Sequence, residues 1–169
     1  MNIICNQKVH DLIRRKYKDS TLNLSGDLRV IEPFETIVSH GTEVTALPAV
    51  HMADEQALFY ILRKKGTTIL LAFDTGKWDE RVWDFLRNFS FNGVVVDETM
   101  GNRSYHGHLN ISEVCYIKER MAEQGLIGGI TPFIVTHISH NSNPVFSKLK
   151  KLFAAEGIQV AYDGWQVSI

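Results

Sequence analysis

A chain of 169 residues, 44% hydrophobic and 22% charged, has enough apolar side chains for one packed domain. Its formal net charge of -1, from 18 basic and 19 acidic residues, offers neither a nucleic-acid surface nor an acidic tail. No apolar run approaches the roughly 20 residues of a membrane span, and Met1-Asn2-Ile3-Ile4-Cys5 does not open like a signal peptide, so a soluble cytoplasmic protein without membrane contact is expected.

Taken in chain order, Asn2 to Cys5 reads as a short buried strand. Val9, Leu12, Ile13 and Tyr17 recur at helical spacing and predict a helix of about ten residues. Residues 20–35 are mixed and turn-rich. Glu35 to Ser39 and Val44 to Val50 read as strands around a His40-Gly41 turn. Ala57 to Leu62 and Thr68 to Phe73 flank Lys64-Lys65-Gly66, a hairpin signal. Asp79 is placed to cap a helix that buries Val82, Trp83, Phe85 and Leu86.

Gly93 to Val96 is a continuous apolar run closed by Asp97, the pattern of a strand covered on both faces. Asn110, Ser112 and Glu113 open a helix carrying Val114, Ile117 and Met121. Phe133 to Thr136 is a further buried strand, and Asn143-Pro144 starts a helix with Val145, Phe146, Leu149 and Leu152 inward. Ile158 to Tyr162 and Trp165 to Ile169 predict a closing hairpin about Asp163-Gly164. Hairpins alternating with strand–helix units indicate a single α/β domain over 1–169 with a mixed sheet. Cys5 and Cys115 are too few and too far apart for a disulfide framework and read as buried free thiols.

Three apolar runs end in potential metal ligands: Val44 to Val50 in His51, Ile69 to Phe73 in Asp74, and Phe133 to Thr136 in His137. Strand ends hold side chains rigidly, and His and Asp suit a hydrolytic Zn²⁺ or Mn²⁺. An Asp at position 74 can bridge two cations; an Asx-turn or cap is its structural alternative. His140 lies three residues after His137. His106 and His108 sit in a loop that enters a helix, where a histidine can move a proton. Thr136 and Ser139 are placed to orient the rings or meet a phosphate. Asp97 and Asp163 stand where carboxylates hydrogen-bond ligand histidines, or simply hold turns. His10 and His40 read as solvated or capping residues.

The succession Leu47-Pro48-Ala49-Val50-His51, Phe73-Asp74-Thr75-Gly76, His108-Leu109-Asn110, Thr136-His137-Ile138-Ser139-His140 and Tyr162-Asp163-Gly164 resembles the C-terminal part of metallo-β-lactamase-fold phosphodiesterases. The resemblance is nearest to the phosphoribosyl 1,2-cyclic phosphate phosphodiesterases. It implies an αββα sandwich lacking its N-terminal portion. It implies His51, Asp74 and His137 as ligands of two divalent metals, Zn or Mn, with Asp74 bridging. His108 would protonate the leaving oxygen, and His140 would touch the phosphate of a small phosphate ester.

No His-x-His-x-Asp-His run, which supplies most ligands in that family, occurs in the sequence. The resemblance therefore implies that a homodimer or an N-terminal segment completes the site and covers an apolar sheet face. Without one, the metal complement stays incomplete. The alternatives are a catalytically inactive domain kept as a dimeric or binding module, and a different hydrolase of the superfamily.

Overall fold

The computed structural model describes residues 3–17, 28–52 and 54–169. β1 (Ile3–Cys5) leads into α1 (Gln7–Lys16), whose first turn is closed by Asn6 accepting the Val9 N–H at 2.8 Å. β2 (Leu28–Val30) runs parallel to β1, and the two make a small separate sheet. A seven-stranded sheet follows in strict chain order: β3 (Thr36–Ser39), β4 (Thr42–Pro48), β5 (Leu58–Lys64), β6 (Thr67–Ala72), β7 (Gly93–Asp97), β8 (Phe133–Thr136) and β9 (Gln159–Val160). Neighbours are antiparallel from β3 to β6 and parallel from β6 to β9. The parallel steps need crossovers, supplied by α2 (Glu80–Leu86), α3 (Ile111–Glu123) and α4 (Phe146–Ala155).

The pairing register sorts the strand residues into two faces. Phe59, Ile61, Leu70, Ala72, Val94, Val96, Phe133 and Val135 share one face and are all buried. Val82 and Trp83 of α2, Val114, Ile117 and Met121 of α3, and Leu149 and Phe153 of α4 join them in one core. Each such side chain contributes about 1.5–3 kcal/mol through loss of its water-exposed surface. On the opposite face Leu58, Tyr60, Leu62, Ile69, Leu71 and Val95 are only half-buried. The chain end covers part of that face: the Ile169 side chain fills the space over Gly93, where a Cβ would lie 2.5 Å from it.

The Lys64-Lys65-Gly66 turn forms as its residues require, with Lys65 (φ 50°) and Gly66 (φ 84°) both left-handed. The expected helix of about ten residues forms as α1, and two local expectations, for α4 and for the chain end, are corrected. α1 buries none of its described residues, and Val9, Leu12 and Tyr17 remain exposed because the helix lies outside the main core. α4 begins at Phe146, and its inward residues are Leu149 and Phe153, one turn apart. Val145, Phe146 and Leu152 fall on the solvent side of that turn and are exposed. Trp165 to Ile169 forms no strand, because the tail crosses to the half-covered face and does not pair with β9. β2 lies within the stretch read as turn-rich; residues 20–27 of that stretch, and Asn2, lie outside the described residues.

Candidate metal centre

β4 is parallel to β6, β7 and β8, so the carboxyl ends of four strands open on one edge of the sheet. Asp74 stands two residues past β6, Asp97 closes β7, and His137 follows β8 directly. Asp74 (φ 47°) and His137 (φ 62°) both hold left-handed backbone, a conformation L-residues adopt at a cost of about 1–2 kcal/mol. Strain of this kind persists where the surrounding structure imposes it, and it concentrates at functional sites.

The two strained residues face each other, with His137 Nε2 3.1 Å from Asp74 Oδ1. Asp74, Asp97, His108 and His137 each bring a donor atom within 4.8 Å of the others. Two such donors on a tetrahedral cation, each about 2.0–2.2 Å from it, stand a little over 3 Å apart, so the Asp74–His137 pair fits a divalent ion.

His108 reaches the group from the loop before α3. The loop is anchored by a capping box: the Asn110 side chain accepts the Glu113 N–H at 3.0 Å, and the Glu113 carboxylate accepts the Asn110 N–H at 3.0 Å. His108 Nδ1 bonds to Oδ2 of the fully buried Asp97 at 2.7 Å and lies 4.0 Å from Asp74 Oδ1. Its ring stacks on that of His137, with centroids 5.4 Å apart.

Gly76 brings the loop this close to β6. A Cβ there would sit 1.8 Å from the His106 carbonyl oxygen, a backbone atom with nowhere to go. Gly76→Ala is expected to cost about 1–3 kcal/mol in denaturant unfolding and to displace His108 from Asp97.

The other predicted residues surround this group. His51 lies beside it, its ring edge-on to His108 at 5.0 Å and its Nδ1 bonded to Glu55 at 2.8 Å, so Nε2 is the atom left for a cation. His140 is exposed and lines a cleft of about 890 Å³ with Phe73, His137, Asn143, Phe146 and Tyr162. Asp163 lines the same cleft, next to the Gly164 turn (φ 81°). His106 is exposed, with its ring against Tyr105.

Thr99 was not singled out from sequence, although its hydroxyl touches Asp97, His137 Nδ1 and the His137 carbonyl. Glu98 was missed too. It is fully buried, accepts the Gly101 N–H at 2.9 Å through Oε1, and leaves Oε2 without a partner. Burial pushes its carboxyl up to about 7. The one available signal is that Glu98 follows Asp97 at the end of a buried strand; no pattern marks Thr99.

No protein-family model matches the sequence, and no curated protein matches it. Solved structures do. A diphosphatase of the PhnP family superposes with TM-score 0.71 at 18% identity, covering 99% of this chain and 57% of that one. Zinc-bound PqqB from Methylobacterium extorquens matches with TM-score 0.70 at 16% identity, over 100% of this chain and 65% of its own. The metallo-β-lactamase fold protein YhfI from Bacillus subtilis matches with TM-score 0.68 at 14% identity, over 97% and 63%. The chain thus spans about three fifths of the length of these relatives and carries the metallo-β-lactamase fold.

Proposed function

We propose that the chain belongs to a metal-dependent hydrolase of small phosphodiesters, nearest in chemistry to a cyclic phosphate phosphodiesterase. The observation that carries this reading is the pair of strained residues, Asp74 and His137, meeting at 3.1 Å on the edge where strand ends converge. Asp74 and His137 would hold divalent Zn or Mn, with His51 Nε2 as a further ligand where a second cation is bound. Such ions offset charge on the phosphoryl oxygens and activate water. His108, its Nδ1 held by Asp97, would give the leaving oxygen a proton from Nε2 when the ring is protonated on both nitrogens. His140, at the cleft wall, meets the substrate phosphate. The likeness to a diphosphatase structure supports the preference for a phosphate group.

The remaining metal donors come, in this reading, from a second copy of the chain or from an N-terminal segment laid on the half-buried sheet face. Incubation of the Mn²⁺- or Zn²⁺-loaded chain with a five-membered cyclic phosphate, a linear alkyl phosphodiester and a lactone tests the reading. Cleavage of the phosphodiesters, abolished by chelation and lowered at least tenfold by His108→Ala, is expected. Cleavage of the lactone alone points to a different hydrolase of the same fold. Tight metal binding with no turnover of any substrate points to a binding module.

A further inference from the structure

Resting on the metal-site reading, we infer that Thr99 is a positioning residue that fixes which nitrogen of His137 is left free to take a cation. Its Oγ1 lies 2.8 Å from Asp97 Oδ1, 2.6 Å from His137 Nδ1 and 2.8 Å from the His137 carbonyl oxygen. A hydroxyl has one proton to donate and lone pairs to accept with. The carboxylate and the carbonyl can only accept. If the hydroxyl gave its proton to the imidazole, two oxygens would face it at 2.8 Å with no hydrogen between.

The proton therefore goes to an oxygen, and the buried Asp97 carboxylate is the stronger acceptor. Nδ1 of a neutral His137 must then donate to Thr99, which leaves its Nε2 as a bare lone pair. That lone pair faces the Asp74 carboxylate at 3.1 Å, two acceptors that a cation reconciles.

Asp97 thus sets both rings: His108 through Oδ2 directly, and His137 through Oδ1 and one hydroxyl. The left-handed backbone of His137 gives the arrangement its reach, because it brings the ring and the carbonyl of one residue to the same hydroxyl. Outer partners of metal-binding histidines typically change affinity 10–100-fold when removed.

The test is the tautomer of His137 in ¹⁵N-histidine-labelled, metal-free protein at a pH where the ring is neutral, read with the Zn²⁺ affinity from chelator competition. The wild type and Thr99→Ser are expected to carry the proton on Nδ1. Thr99→Val is expected to move it to Nε2, where Asp74 accepts it, and to weaken Zn²⁺ binding 10–100-fold. A proton on Nε2 in the wild type overturns the inference without recourse to any variant. So does a Thr99→Val protein whose tautomer is unchanged. A tautomer switch as expected in a protein that binds no metal upholds the role of Thr99 and refutes the metal reading alone.

Discussion

On the proposed function, Asp74→Ala is expected to lower metal-dependent phosphodiester hydrolysis by about 10³-fold and to release the ion held there, while the fold survives. The magnitude follows from the several kcal/mol that a positioned cation takes off such a barrier, at 1.36 kcal/mol for each tenfold change in rate. Fold retention follows from position. The Asp74 side chain is 52% exposed, and its partners are histidines at the open edge rather than members of the core. Removing it also takes a carboxylate away from a left-handed residue without breaking any strand pairing. Initial rates with the cyclic phosphate substrate, chemical denaturation curves and metal content of the same preparation check the three parts together. A variant that loses activity through unfolding would show a shifted denaturation midpoint. The expected one does not.

Glu98→Gln is expected to flatten the dependence of stability on pH. In the unfolded chain this carboxyl titrates near 4.5, and in the fold burial raises it to about 7. Because the raised value means that the folded state binds the proton more tightly, the stabilisation is fully present below pH 4.5. It is lost as pH rises through 7. A shift of this size corresponds to about 3 kcal/mol. Metal-free wild-type protein should therefore lose about that much unfolding free energy between pH 4.5 and 8 through this one group. The glutamine variant, which does not titrate, should lose correspondingly less. Urea unfolding of both proteins with chelator across that pH range measures the difference.

Much of the site was legible because it follows from strand periodicity. Asp74, Asp97 and His137 each close an apolar run, and a residue at a strand end is placed by the sheet itself. The parallel order β6, β7, β8 then brings the three together. His108 was legible by a different route, as a loop histidine just before the capping pattern of Asn110 and Glu113.

Thr99 was not legible. Its three contacts exist only because His137 adopts a left-handed backbone and turns its ring back across β7, and no spacing pattern encodes that. The burial of Glu98 was hidden for a similar reason, since the loop that covers it is closed by contacts to Gly101 and Thr99. The misread face of α4 has a simpler cause. Periodicity identifies an apolar stripe, but α4 is rotated so that Leu149 and Phe153 point inward. At the chain end, Asp163-Gly164 suggested a hairpin turn, but the tail beyond it rests on a sheet face and does not pair.

The proposed function turns on a divalent cation held between Asp74 and His137 at the strand ends. The measurement that tests it most directly is metal bound per chain, by plasma mass spectrometry after loading with Zn²⁺ or Mn²⁺ and exhaustive dialysis, on wild type and His137→Ala with molar mass recorded on the same samples. At least one ion retained per wild-type chain and none in the variant is the expected result. Equal retention by both proteins, or no retention by a folded wild type in any oligomeric state, would contradict it.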